Sequence, residues 1–184
     1  MIRQAAALFD QRGYHATSMD EIAESVGVRK PTLYHYFSSK DEILFWIHEE
    51  FIDLLVSRQQ RRSETTMRPE QEVLEIMGDI LEVIETHRGH VRVFFEHHRE
   101  LPAAEDAAIA AKRKQYEEAV VAVIQRGVDE GDFRPLDVKL AALALFGVCN
   151  WAYQWYTPDN PLRSREVAYV FWDLLLHGLA APDR

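Results

Sequence analysis

The sequence predicts an all-α protein, on three observations. Strand-type alternation of apolar and polar residues is hard to find. Gly and Pro are scarce, 8 and 7 in 184 residues. The helix formers Ala, Leu, Glu, Gln and Arg dominate most windows. A hydrophobic share of 47% supplies a core and argues against general disorder. The length suits one large domain, or a small domain joined to a mid-sized one.

The elements follow in order. Helix 1 is expected over residues 2–12, where Ala5, Leu8 and Phe9 recur at helical spacing and Gly13 stands at the C-terminal cap. Helix 2 opens at Ser18, whose side chain and that of Glu21, three residues on, can each satisfy an orphan N–H at the helix start. Its buried stripe is Ile22, Ala23 and Val26, and Gly27 ends it. Helix 3 covers residues 30–37, with Pro31 tolerated in a first turn that lacks intrahelical acceptors. Ser39 and Glu42 repeat the capping pattern for helix 4, which runs to about residue 62. A polar loop, "SETTMRP", precedes helix 5 at Pro69. A short helix 6 carries "VRVFFEHHREL", helix 7 runs over about 104–130, helix 8 over 136–156, and helix 9 over 164–179. "TPDNPL" is the turn before helix 9. The total is about nine helices, with no solenoid repeat and no low-complexity tract.

Composition excludes several functions. Cys149 is the only cysteine, so neither an intramolecular disulfide nor a cysteine-based zinc site is available. No cationic stretch followed by an apolar run opens the chain. The longest apolar segment, residues 140–155, is interrupted by Asn150 and Gln154 and is shorter than the ~20 residues of a membrane helix. A soluble cytoplasmic protein is expected.

Chemistry concentrates near the N-terminus. Two helices separated by a glycine-containing turn, over residues 18–37, fit a helix-turn-helix, whose second helix enters the DNA major groove. Arg29 and Lys30 can neutralise phosphates or reach guanine edges, Thr32 can donate and accept, and Pro31 can meet a thymine methyl. Tyr34, His35 and Tyr36 offer donors to phosphate oxygens, Lys40 follows at the head of helix 4, and Ser18 opens a helix whose N–H groups can cradle a phosphate. Leu33 and Phe37 share one face and read as core. The net charge is −9, yet up to Leu44 five cations (Arg3, Arg12, Arg29, Lys30, Lys40) meet six carboxylates (Asp10, Asp20, Glu21, Glu24, Asp41, Glu42). The head is close to neutral, with three of its cations gathered between Arg29 and Lys40. Charge elsewhere is screened beyond ~10 Å.

The run "AAALFDQRGYHATSMDEIAESVGVRKPTLYHYFSSKDEIL", residues 5–44, resembles the DNA-binding domain of the TetR (tetracycline repressor-like) family of transcription regulators. The shared signature is "LF…GY…T…IA…GV…LY.YF..K..L", continuous over about the first quarter of the chain. The resemblance implies a helix-turn-helix domain over residues 1–46, a connecting helix 4 from about residue 40, and a ligand-binding and dimerisation domain over 47–184. It also implies a homodimer that binds palindromic operator DNA. Carried over by position, Lys30, Pro31, Thr32, Tyr34 and Lys40 are its DNA contacts, with Ser18, Arg29, His35 and Tyr36 as additions. Family members usually carry a longer basic arm before helix 1, which this sequence enters almost at Met1.

The remainder is less readable. Helix 8, "LAALALFGVCNWAYQWYTP", is apolar nearly all round and is expected to be buried between neighbours. Phe146, Asn150, Trp151 and Tyr153 fall close together on it, and Asn150 reads either as a satisfied core amide or as a ligand hydrogen bond in an aromatic pocket. Phe94 and Phe95 on helix 6 are expected to feed the core or that pocket, with His98 or Arg99 at its edge. Glu96, His97, His98, Glu100, His87 and His90 are ligand-type residues, but no H-x-x-x-H pair exists and His97 and His98 point apart; no metal site is expected. On helix 9, Phe171, Trp172, Leu175 and Leu176 are the expected dimer contacts, and with helix 8 they resemble the family's dimerising pair. A two-fold dimer also suits reading, because two recognition helices must span half-sites ~34–36 Å apart.

The tail from Asn150 resembles TetR-type regulators of fatty-acid, sterol or aromatic-acid catabolism that answer to CoA thioesters. The expected function is a ligand-responsive regulator, a repressor released by a small apolar effector, with acyl-CoA as the candidate. An activator, or a regulator answering a drug or aromatic compound, is the alternative. Without a nucleophile–base pair, phosphate loop or metal motif, an enzyme is the remote third, and no cofactor is expected.

Overall fold

The structure is a computed structural model that describes residues 1–157 and 159–178. Its α-helices are α1 (Ile2–Arg12), α2 (Met19–Val26), α3 (Lys30–Tyr36), α4 (Lys40–Ser63), α5 (Pro69–Thr86), α6 (Arg88–Glu96), α7 (Ala103–Glu130), α8 (Val138–Asn150), α9 (Ala152–Trp155) and α10 (Ser164–His177). One turn of 3-10 helix, His98–Glu100, follows α6. No strand occurs among the described residues, and no helix there is long and apolar enough to cross a membrane.

The chain forms two compact units. The first comprises Met1–Leu54 and His87–Arg113. Ala5, Ala6 and Phe9 of α1, Ile22 and Ala23 of α2, and Leu33 of α3 close its small N-terminal core, while Val26 is only half-buried. The capping box at Ser18 forms, its hydroxyl accepting the Glu21 N–H and its own N–H reaching the Glu21 carboxylate at 2.7 Å. Gly27 adopts φ 77°, the left-handed conformation that lets α2 end and α3 turn away. α6 packs on α1, and Arg92 reaches Asp10 at 3.1 Å. His48 and Phe51 of α4 meet Phe94 of α6 in a buried aromatic cluster.

The second unit comprises Leu55–Thr86 and the chain from Lys114 onward. α5 is its centre, with Ile76, Met77, Ile80, Leu81 and Ile84 all but inaccessible. α10 packs along α5 through Val167 and Ala168. Arg165 crosses α5 at Gly78, where a Cβ would collide with its guanidinium; a larger residue there would have to displace this arginine, which pairs with Glu75, Asp79 and Glu82.

Four readings of the sequence change. Glu42 does not return to Ser39; its carboxylate takes the Ser38 N–H and hydroxyl, at 2.6 and 2.7 Å, while the Ser39 hydroxyl accepts the Glu42 N–H. The serine pair thus divides the cap. The expected helix 8 starts later, because Asp137 caps Val138 by accepting from Lys139 and Leu140, and it breaks at Trp151 into α8 and α9. It is not buried all round: only Ala142, Leu145 and Cys149 of α8 are, and Leu140 and Trp151 are each 64% exposed. No described helix of the chain covers that face. Helix 3 ends at Tyr36, with Phe37 as its cap. Leu179, the expected end of the last helix, and Pro158 of the "TPDNPL" turn lie outside the described residues.

Candidate functional site

α3 carries one side chain inward and the rest outward. Leu33 is fully buried, while Arg29, Lys30, Pro31, Thr32, Tyr34, His35 and Tyr36 are exposed. A seven-residue helix anchored by a single leucine therefore offers nearly its whole surface to a partner. His35 and Tyr36 stand edge to face, 5.5 Å between ring centres.

The cations of this face differ in availability. Arg29 is the N-cap of α3 and makes no side-chain capping bond. Lys30 donates to the Asp20 carboxylate at 2.9 Å, and that bond holds its pKa above the usual lysine value. Arg12 is paired with Glu21 at 2.7 Å. Ser18 is engaged in its capping box. Lys40, expected to face a phosphate, is turned into the protein: its ammonium donates to the Tyr14 and Thr17 carbonyls at 2.8 and 2.9 Å and lies over the Tyr14 ring. Carbonyl groups freed where the α1–α2 turn leaves helical geometry are the physical reason, since an ammonium satisfies two at once. The Tyr14 hydroxyl donates to Asp41, and burial together with that bond pushes its pKa up.

The expected ligand residues divide between the two units. In the first, Phe94 is buried against His48, Phe51 and Phe95, and the half-buried His98 faces the Phe95 carbonyl through Nδ1 at 3.2 Å. In the second, Phe146 and Asn150 are half-buried, as is Tyr153, whereas Trp151 faces outward. Phe146 meets Tyr116 at 5.8 Å between ring centres.

None of these seven lines the larger of two clefts found among the described residues of the second unit. That cleft has a volume of about 380 Å³ and lies among α4, α5 and α7. Val56, Ala119, Ala122 and Val123 give it apolar walls, Gln60, Ser63 and Gln115 a polar rim, and Tyr116 and Gln59 its depth. Its buried charged group is the Glu72 carboxylate, 2% exposed, which accepts from Gln59 at 2.7 Å and Arg126 at 2.5 Å. Burial raises the Tyr116 phenol pKa. The sequence signal for this cleft is weak. Ala119 and Ala122 leave space on a long charged helix, and Gln59 and Glu72 are polar residues at inward positions. Their juxtaposition depends on elements far apart in the chain.

Of the expected dimer residues, Leu175 is exposed, and Phe171 and Leu176 are half-buried. Trp172 is half-buried, its indole N–H donating to the Glu70 carbonyl at 3.1 Å. The large apolar groups facing outward from α8 to α10 include Leu175 together with Leu140, Leu143, Val148, Trp151, Trp155, Tyr169, Val170 and Leu174. No group of three or more metal-ligating side chains gathers among the described residues.

Residues 1–46 match the profile of bacterial regulatory proteins of the tetR family. Residues 66–179 match the tetracyclin repressor-like C-terminal domain. The structure is similar to that of PfmR, a TetR family transcriptional regulator from Thermus thermophilus, with TM-score 0.92 and 33% identity over 98% of each chain. The HTH-type transcriptional repressor KstR2 of Mycobacterium tuberculosis (strain CDC 1551 / Oshkosh) is 29% identical over 97% of this chain and 90% of its own. AibR, solved in complex with isovaleryl coenzyme A and operator DNA, superposes with TM-score 0.84 at 27% identity over 95% of each chain. These relatives are regulators, not enzymes. The all-helical fold, the helix-turn-helix and the two profiles together place the chain in the TetR family of bacterial transcriptional regulators.

Proposed function

We propose that the protein is a transcriptional repressor that binds a palindromic operator as a homodimer and leaves it when a small apolar effector binds. The carrying observation is the outward set on α3. A helix held by Leu33 alone presents Arg29, Lys30, Thr32, Tyr34, His35 and Tyr36 together, which are donors and cations suited to phosphates and base edges. In this reading residues 1–46 are the reading head, and the effector occupies the α4/α5/α7 cleft. Its volume lies in the range of small-molecule sites, about 300–1,000 Å³, and all of its lining except Glu72 comes from α4 and α7. The exposed apolar face of α8 and α10 is the dimer surface. The complex of AibR with isovaleryl coenzyme A supports an acyl thioester as the effector class, and the likeness to the repressor KstR2 supports the sign of regulation.

Fluorescence anisotropy of a labelled duplex from upstream of the protein's own gene, at two salt concentrations and with and without medium-chain acyl-CoA, tests the proposal. Tight, salt-sensitive binding abolished by the thioester is the expected result. Binding that the thioester leaves untouched would discard the effector class, and thioester-enhanced binding would reverse the sign of regulation. Absence of binding at any salt to that duplex and to duplexes from neighbouring promoters would overturn the repressor reading.

A further inference from the structure

Resting on the proposed role of the α4/α5/α7 cleft, we infer that it selects effectors whose carbonyl end is uncharged, and that Glu72 is the residue that enforces this. Among the described residues lining the cleft, Arg126 is the one cation and Glu72 the one carboxylate, and they bond to each other at 2.5 Å. Arg126 also reaches the Met67 carbonyl and approaches Glu130, at 3.3 and 3.8 Å. Of the nearby guanidiniums of α4, Arg58 and Arg62 are committed to the buried Asp79, and Arg61 is exposed and does not line the cleft. A free carboxylate entering this space would lose its hydration and find no cation to replace it, a steep cost in an apolar surround. A thioester, ester or amide carbonyl needs only a neutral donor, and Gln60, Ser63, Gln115 and the Tyr116 phenol supply that type at the rim and floor. The same absence of an uncommitted cation means that the cleft lining does not seat phosphates, so recognition falls on the acyl part and its carbonyl.

Glu72→Gln tests the assignment. The substitution keeps the shape but only one acceptor oxygen for Gln59 and Arg126, and it removes the buried carboxylate, leaving Glu130 at 3.8 Å as the arginine's remaining partner. The ligands are matched pairs of a free acid and its N-acetylcysteamine thioester, a neutral probe carrying no phosphate, with straight, branched and aryl acyl groups. Binding to the purified protein is read by calorimetry without DNA, and the fold of the variant by its circular dichroism and melting.

For the wild type, at least one thioester should bind at least about tenfold tighter than its acid. In Glu72→Gln that preference should shrink by about tenfold or invert, through a gain in acid affinity. If the variant does not fold, Arg126→Gln supplies the second arm. It leaves Glu72 unpaired at the cleft and should weaken acid binding further, while the neutral thioester of the same pair loses less. Acids binding as well as their thioesters to the wild type would overturn the inference and leave the cleft as the effector site. Binding of neither class in any pair would overturn both. A preference unmoved by either substitution would remove Glu72 from the account.

Discussion

The Lys40 ammonium lies 4.3 Å from the centre of the Tyr14 ring and donates to the Tyr14 carbonyl at 2.8 Å. With its second bond to Thr17, the lysine staples the α1–α2 turn to the start of α4, and we expect its part in DNA binding to be indirect. Lys40→Met should therefore lower stability by on the order of 2 kcal/mol, as expected for losing charge-assisted hydrogen bonds. The slope of log affinity against log salt should stay unchanged. A lysine that touched phosphate would take ~0.9 from that slope when removed. Urea unfolding and salt-dependent anisotropy on one variant separate the two roles.

Among the described residues, Arg29 is the cation of α3 that no carboxylate holds, while Lys30 shares its charge with Asp20. Arg29→Ala should reduce the salt slope by about one contact, ~0.9, and weaken binding across all sequences. Asp20→Asn should do the opposite. It releases Lys30 for phosphate, steepens the slope by up to ~0.9 and raises non-specific affinity. Anisotropy with an operator duplex and a scrambled duplex reads both effects.

How far the sequence reaches can be traced through these residues. The Ser18–Glu21 box, the Gly27 stop and the inward Leu33 are legible because each depends on neighbours within four positions. Lys40 escapes a local reading because the carbonyls that capture it lie 26 and 23 residues away. The cleft escapes it for the same reason: Glu72 and Arg126 are separated by 54 residues. On α8 an all-round apolar pattern suggests burial, but a helix can be apolar toward a surface that another molecule covers. Trp172 shows the converse. Its apolar ring suggests an outward anchor, whereas its indole N–H ties it to Glu70 of its own chain.

His48 makes stability depend on pH. Burial lowers its pKa to about 4, against the raising effect of the Leu44 carbonyl 2.9 Å from Nδ1. His97 and His98 add to the lowering. His90 is shifted the same way by burial, opposed by Glu50. The unfolded chain, with an ordinary value near ~6.5, takes up the proton first as pH falls. The contribution of His48 is thus intact above pH ~6.5 and is lost as pH falls toward about 4. It amounts to about 3 kcal/mol at its upper bound. Urea unfolding at several pH values should show this fall in the wild type and a flatter profile in His48→Leu.

Asp79 of α5 binds Arg58 and Arg62 of α4 and Arg165 of α10. Its side chain is 6% exposed, so Asp79→Asn leaves three guanidiniums around a neutral amide in a poorly solvated place. A loss of about 3–5 kcal/mol is expected, the cost of removing one partner from a buried ionic group. Arg165→Met should cost much less, because that guanidinium is 44% exposed and solvent screens its pairs. Both are compared at one protein concentration, since dimerisation adds to apparent stability.

In the proposed dimer, the outward face of α8 and α10 decides whether two reading heads act together. Leu143 and Leu174 are 53% and 40% exposed, and an apolar face of this extent needs a cover in solution. A two-fold copy of the same face is a self-complementary cover. The double substitution Leu143→Glu with Leu174→Glu brings four like charges to that symmetric contact and should yield monomers by sedimentation velocity. Both side chains point away from their own core, so the monomer should keep its helical circular dichroism. It would carry one recognition helix where the operator offers two half-sites. Its operator affinity should fall to the non-specific level, a loss of about 10³-fold or more. Trp172→Phe, at the residue bonded to Glu70, should instead lower stability by about 1 kcal/mol through one lost hydrogen bond and leave the dimer intact. A double-glutamate variant that sediments as a dimer would place the interface elsewhere, and one that stays monomeric yet binds the operator fully would remove the need for a paired reading head.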